Sequence, residues 1–413
     1  MRDQTEPSSL WHNRSYMLLW GGQVVSTLGS ISAGIIYPLL ILALTDSPEI
    51  AGYVSALRAL PYLIFSLPVG ALIDRWNRKR VMILCDIGRG IAVASLPIAI
   101  LFDAITVVQI GIVAFVEGTL FVFFNVAEVA TLPRVVPKAQ LPQATAQNEA
   151  AFGAAVVAGP SFGTFLFHAL GQAVPFIADA ISYVVSAISL SLIRTPFHGE
   201  RSAERRHLLV EIMEGLRWLM NQPLIRYMAA LTGGLNFVNA SGQLLLIVLA
   251  TNLGASTTEI GLIFSIGGVG GIIGSLIGGR LQRRFSFGQI IIAAVWVQAL
   301  LIPLYAVLPS FWMLGVTSAL VFAVGPIYNV VQFSYRVALI PDELQGRVNS
   351  TFRLLAFGLN PLGAALCGVL IERIGAKYTV AFFGACMVVL AIVTTLNRHV
   401  RNAGPIEHAS LGS

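Results

Sequence analysis

Charge is what this chain is short of. Only 11% of its 413 residues are Asp, Glu, Lys or Arg, against about 25% in a soluble domain, which excludes an ordinary water-facing globule. Cysteine is nearly missing too. Cys85, Cys367 and Cys386 all fall inside apolar runs without metal-ligand or redox spacing, which argues against a zinc site or a disulfide framework. Phosphate-cradling and nucleophile patterns do not occur. The glycine-rich Gly267-Gly-Val-Gly-Gly271 sits within an apolar run and has no lysine after it, so helix packing accounts for it better than nucleotide binding. These absences point away from an enzyme and call for no cofactor.

What is present is hydrophobic length. The chain is 56% hydrophobic with a mean hydropathy of +0.78. Apolar stretches of roughly 20 residues can each cross a hydrocarbon layer of about 30 Å. They lie near 16–43, 50–72, 81–101, 105–130, 143–168, 173–193, 226–251, 258–279, 287–308, 311–335, 348–371 and 377–396. The fold class expected is therefore an all-α polytopic membrane protein with twelve transmembrane helices in two six-helix bundles. Segments 3 and 4, and 9 and 10, are parted by so few residues that the count could shift by a pair. The expected organisation is a first bundle over 1–193, a linker with an amphipathic helix over 194–225, a second bundle over 226–397 and a tail over 398–413.

Basic residues gather on one side: Arg14, Arg75, Arg78, Lys79, Arg80, Arg134, Lys138, the arginines of the linker, Arg280, Arg283, Arg284, Arg336, Arg347, Arg398 and Arg401. The opposite connections hold Asp46, Glu49, Asp103, Glu259 and Glu372, with Arg373 and Lys377. By the positive-inside rule both termini and the linker are cytoplasmic. The net charge of +6 thus reports topology. Nucleic acid is not expected as a partner, because the charge is scattered over separate loops. The first apolar segment is too long for a cleaved signal and should remain as the first span.

The chain repeats itself. Gly70-Ala-Leu-Ile-Asp-Arg-Trp-Asn-Arg-Lys-Arg80 has a weaker echo in Ser275-Leu-Ile-Gly-Gly-Arg-Leu-Gln-Arg-Arg-Phe285. Arg75, Arg78 and Lys79 align with Arg280, Arg283 and Arg284, while Asp74 falls on Gly279. Gly159-Pro-Ser-Phe-Gly163 in segment 5 is echoed by Asn360-Pro-Leu-Gly363 in segment 11. Two such halves are a common plan for carriers that expose one central site to each side in turn.

The Gly-x-Leu-x-Asp-Arg-x-x-Arg-Lys-Arg turn resembles the signature loop of the major facilitator superfamily, with Asn77 where a glycine is common. Gly153, Gly159, Pro160 and Gly163 resemble the antiporter-associated motif of its exporters, with Thr164 where a further glycine is often seen. The resemblance covers about residues 14–396 and is nearest to the bacterial branch of macrolide and siderophore exporters. It implies a multi-pass protein of the bacterial inner membrane, working as a monomer among membrane lipids. It also implies a cytoplasmic gate in which Asp74, Arg75 and Arg78 latch the halves, with Glu128 and Arg353 in reach. Asp86, Arg89 and Glu149 are expected in the same charge network. Topogenic anchoring is the plainer alternative for the basic turn.

Charges at membrane depth are costly unless paired or hydrated. Arg58 lies about 12 Å into its segment at helical rise and is expected to pair with Glu117 or Asp179. A carboxylate in a dry cavity favours its neutral form and can load and release a proton. Glu117, then Asp179, with Arg58, are the candidates for proton coupling, and a fixed structural ion pair is the alternative. His168, at an outer helix end, is expected to serve local hydrogen bonding.

The second half is nearly free of deep charge. Asn236, Asn239, Gln243, Gln298, Tyr305, Tyr328, Asn329, Gln332 and Asn360, joined by Gln23, Tyr37 and Asn125 from the first half, are candidates to line a central cavity. Amides, tyrosines and apolar side chains suit a lipophilic or amphipathic small molecule. The leading expectation is efflux of such molecules in exchange for protons. The alternatives are an importer, facilitator or lysophospholipid carrier, and a receptor or scaffold that no longer transports.

Overall fold

The computed structural model describes residues 10–73, 75–195, 197, 208–341 and 344–404. Among these residues the secondary structure is helical throughout. The first half contains α1 (Arg14–Thr45), α2 (Pro48–Ile73), α3 (Arg78–Leu101), α4 (Val107–Val135), α5 (Leu141–Leu170) and α6 (Val174–Leu192). A short helix, α7 (Leu208–Asn221), follows. The second half contains α8 (Pro223–Asn252), α9 (Thr257–Arg284), α10 (Phe287–Leu301), α11 (Phe311–Leu339), α12 (Gln345–Phe357), α13 (Asn360–Ile374) and α14 (Ala376–Leu396). Twelve spans result, because α10 runs on through a 3-10 turn to Ala306, and α12 with α13 form one span, Gln345–Ile374.

The sequence starts several of these helices with side-chain caps, which matters where backbone groups have little water to turn to. Asn13, Asn77 and Thr106 accept from the backbone N–H groups of Tyr16, Arg80 and Gln109. Ser256 with Glu259 and Ser286 with Gln289 form complete capping boxes. Between α12 and α13 the chain breaks at Gly358–Leu359, ahead of Pro361, whose missing N–H suits the first turn of a new helix.

The helix order alternates, so the turn at 75–77, the ends of α4 and α6 and the start of α1 share one end of the molecule. Contacts confirm it: Asn13 Nδ2 donates to Val135 O, and Ser15 bonds Thr195. We refer to this end as the basic face. The opposite, acidic face brings Ser47 and Glu49 to Glu372. Many large apolar side chains, Leu84, Ile91, Val108 and Leu276 among them, point outward, as a lipid-facing surface requires.

The halves meet along two seams. In one, α2 packs on α13, with Gly52 so close to Gly368 that a Cβ at Gly52 would lie 2.8 Å from the Gly368 Cα. In the other, α5 packs on α9, where Ser161 and Ser265 share a 2.7 Å hydrogen bond. Small residues let backbones approach this closely without a hydrophobic driving force between helices. The helix α7 folds back on α12: Glu214 bonds Arg347 at 2.7 Å, and Gly215 sits against the Arg347 carbonyl. Its expected place along the membrane surface is therefore shared with a tie to the second half.

Candidate functional site

Within the first half the deep charges converge. Arg58 Nη2 of α2 lies 2.8 Å from Glu117 Oε1 of α4. Glu117 also accepts from Tyr37 OH of α1 at 2.7 Å and from Tyr183 OH of α6 at 3.3 Å. Its residue is 3% exposed. The guanidinium of Arg58 stands 5.2 Å above the Tyr37 ring, adding a cation–π contact. Gly34 and Gly118 create the room, since a Cβ on either would meet Arg58, at Nη1 and at the carbonyl oxygen respectively. Of the two acids expected as partners for Arg58, Glu117 is the one it reaches.

Asp179 of α6 is fully buried and has no cation bonded to it among the described residues. Its Oδ1 accepts from Ser182 Oγ at 3.3 Å and lies 3.5 Å from Ser30 Oγ, while Oδ2 has no partner. Ser30 Oγ in turn lies 2.9 Å from Tyr183 OH. A chain of polar groups thus runs from Asp179 through Ser30 and Tyr183 to Glu117. Ser30 and Tyr183 did not stand out in the sequence, because hydroxyl residues are common in spans and only the rotation of a helix about its axis tells which face inward.

Among the described residues Asp86 and Arg89 make no bond to the basic turn, whose Asp74 lies outside them. They bond each other at one turn's spacing in α3, buried, with the guanidinium 4.4 Å from the Tyr183 ring and 4.6 Å from the Phe124 ring. Pairing within one helix joins the two charges through one contact, with Asp86 Oδ2 and Arg89 Nε left unpartnered. Arg336, expected at a loop, is also inside a helix: α11 continues to Leu339 and buries Arg336 against the Phe352 ring at 4.0 Å.

The second half holds space where the first holds charge. A cavity of about 500 Å³ is bordered by α8, α9, α10 and α11, with Val156 of α5 at its margin. Its polar groups include Asn239, Gln243, Gln298 and Tyr305 on an otherwise apolar wall. A smaller pocket shares Asn239 and Gln298 and adds Thr232, Asn236, Tyr328 and Asn329. Among the described lining residues there is no ionisable carboxylate or cation. Seven of the expected lining residues (Asn236, Asn239, Gln243, Gln298, Tyr305, Tyr328 and Asn329) are therefore here. Tyr37 is not, because its hydroxyl is committed to Glu117. Gln23 is bonded to Ser186 at 3.5 Å, Gln332 and Asn360 each keep an unpartnered buried atom elsewhere, and Asn125 lies half-buried in α4.

The segment 5 motif works on two faces. Gly159 and Gly163 pack within the first half, where a Cβ would fall 2.7 Å from Ile31 Cγ2 and on the Ser32 carbonyl. Gly153, Pro160 and Thr164 look across the seam, toward Ile272 and Gly261 of α9. At the basic turn, Asp74 lies outside the described residues. Asn77 sits at φ −71° and ψ 104° and caps α3, so this turn needs no left-handed glycine there. Arg78 donates to Ala130 O at 2.9 Å, Lys79 to Ser191 O at 3.0 Å, and Trp76 stacks on Phe123. Arg75 is exposed, Glu128 and Glu149 lie on α4 and α5, and Arg353 of α12 stands 5.7 Å over the Tyr62 ring of α2.

Two six-helix bundles, a basic turn with its echo and a cavity in one bundle define a transporter of the major facilitator superfamily, and not an enzyme. The chain belongs to the family of transmembrane secretion effectors within it, whose sequence model matches residues 6–411. It is 26% identical over 374 residues to the multidrug efflux pump Tap of Mycolicibacterium fortuitum, covering 88% of this chain and 91% of the pump. It is 25% identical over 408 residues to macrolide efflux protein A of Streptococcus pyogenes, covering 95% and 97%. In fold it is similar to a bacterial homologue of the iron transporter ferroportin, solved in the inward-facing state, with a TM-score of 0.75 at 16% identity, covering 92% of this chain and 98% of that one.

Proposed function

We propose that this protein expels lipophilic or amphipathic small molecules from the cell by alternating access, driven by inward proton movement. The basic face is read as cytoplasmic, with both termini inside, and the bacterial efflux relatives support a bacterial inner membrane. The cargo binds in the amide-lined cavity of the second half. The similarity to efflux pumps supports the direction of transport, and the uncharged, mainly apolar wall supports the cargo class.

One observation carries the proton reading. Three hydrogen-bond links join Asp179, Ser30, Tyr183 and Glu117, but two hydroxyls supply only two protons. The chain is completely bonded only when it holds one proton more, on one of its two carboxylates. Glu117 already accepts from Arg58 and Tyr37, and protonating it would weaken a buried ion pair. The extra proton therefore resides at Asp179 in this conformation. Passing it along reverses the direction of each hydroxyl, delivers a proton to Glu117 and leaves Asp179 ionised.

Sealed vesicles with an imposed proton gradient test this reading, using erythromycin and other amphipathic compounds as probes. Probe-dependent proton release is expected in the wild type and should be lost in Glu117→Gln and Asp179→Asn. Unchanged release in both variants would return the cluster to a structural ion pair. The gate at Asp74, Arg75, Arg78, Glu128 and Arg353 belongs to the same proposal. Its test is paired cysteine labelling across the basic face, which Asp74→Asn is expected to shift toward the open form.

A further inference from the structure

We infer that Gln243 is the residue through which a cargo in the second half's cavity acts on the Arg58–Glu117 pair in the first. The inference rests on the proton reading above. It begins at Pro38, inside α1. In an α-helix the carbonyl of residue 34 accepts from the N–H of residue 38, and proline has none. The Gly34 carbonyl is left without a partner in its own helix, at a partly exposed position between the halves. Gln243 of α8 supplies the missing bond: its Nε2 donates to Gly34 O at 3.1 Å, across the divide between the halves.

The same glutamine borders the cavity of about 500 Å³. On its other side, Gly34 abuts the ion pair, since a Cβ there would stand 3.0 Å from Arg58 Nη1. Within one turn, Tyr37 donates to Glu117. A single turn of α1, loosened by a proline, is thus held by a cavity-lining amide and leans on both members of the pair. Gln243 touches no proton, so it is a positioning residue. A cargo carrying a carbonyl, ether or hydroxyl oxygen competes for its N–H. Once that bond moves to the cargo, the Gly34 turn is released, Arg58 loses its backing, and Glu117 can take the proton that Asp179 holds. The titratable and charged groups facing this event are Tyr37 from α1, Arg58 from α2, Arg89 from α3, Glu117 from α4, and Asp179 and Tyr183 from α6.

The test is a double-mutant cycle on the full chain in lipid nanodiscs. Spin labels at the exposed positions Gln143 and Ser275 report the opening of the basic face as pH is titrated. Gln243→Leu removes the donor. Pro38→Ala restores an N–H to α1 and satisfies Gly34 from within. Gln243→Leu is expected to move the pH midpoint of opening by about one unit, a tenfold change in proton affinity. Pro38→Ala holds the turn without Gln243 and should leave the midpoint in place, and in that background Gln243→Leu should no longer move it. Saturating erythromycin, an oxygen-rich lactone, should shift the wild type likewise and leave Gln243→Leu unmoved. A wild type whose opening ignores pH overturns the proton reading and this inference with it. A responsive wild type overturns the inference alone if Gln243→Leu leaves the midpoint in place, if Gln243→Leu still moves it in the Pro38→Ala background, or if erythromycin acts equally with and without Gln243 or on neither.

Discussion

The two halves repeat one architecture and fill it with opposite contents. At the 205-residue offset that aligns Arg75 with Arg280, Arg58 falls on Ile263, Glu117 on Phe322 and Asp179 on Gly384. Where the first half has an ion pair whose buried carboxylate accepts from two tyrosine hydroxyls, the second has apolar side chains and a void. Phe322 lines that void, and Gly384 lies against Pro303. The difference teaches that duplication supplies the frame and the seams, whereas function divides unequally between the copies. Under our proposal one half handles the proton and the other the cargo. The basic turns differ in the same way. In the first copy Arg78 and Lys79 bind carbonyls, while Arg280, Arg283 and Arg284 make no ion pair among the described residues.

The sharpest way to break this comparison is to make the halves alike. Glu117→Leu, which leaves the partly exposed Arg58 without its acid, is expected to cost about 1.5–3 kcal/mol, read as a fall in thermal unfolding temperature in detergent. Adding Arg58→Leu should recover at least half of that loss. Next come the glycines of the helix contacts. Gly163→Ala in the first half and Gly270→Ala in the second each push a Cβ onto a backbone carbonyl, of Ser32 and of Ala319. Each should lose about 1–3 kcal/mol by the same measurement, while Gly70→Ala and Gly279→Ala, with no atom within 4 Å, should lose less than about 0.5 kcal/mol.

Division of labour predicts a crossed pair of smaller effects. Asn239→Ala should weaken binding of a fluorescent macrolide by roughly 0.5–1.5 kcal/mol, the worth of one hydrogen bond, and leave the pH midpoint of opening in place. Tyr183→Phe, which cuts the hydroxyl chain, should slow proton release and leave that affinity unchanged. If both variants alter both quantities, labour is not divided. The smallest effect expected is at the echo turn. Arg280→Gln should change neither stability nor opening measurably, as exposed single charges contribute about 0–1 kcal/mol at most, whereas Lys79→Gln removes a donor to two carbonyls.

Much of the frame was legible because a span announces itself by length and composition. The twelve spans, the repeat and the meeting of Arg58 with a carboxylate followed from length, spacing and the cost of an unpaired charge at membrane depth, although the partner acid was left between Glu117 and Asp179. The cavity was half legible. Asn236, Asn239, Gln243, Gln298, Tyr305, Tyr328 and Asn329 line it, yet Tyr37 turned out to serve Glu117, since composition does not say how a helix is rotated. Asp86 and Arg89 carry a related lesson: three-residue spacing lets them pair on their own helix, as they do in α3. The contact between Gly34 and Gln243 left a trace that could have been followed. A proline four residues after a glycine in a span marks a carbonyl that something else must bond.

The buried pair also bears on how the polypeptide enters the bilayer. Arg58 is threaded into the membrane with α2 before Glu117 has been synthesised, at a cost of about 2.5–3.5 kcal/mol for an arginine near mid-span. The hydropathy of this span, 1.4, equals the lowest value among the twelve, and its interior carries Pro61 and Pro68. Such a segment gains little from integrating alone. The acid that removes this cost comes with α4, where Glu117 bonds Arg58 at 2.8 Å.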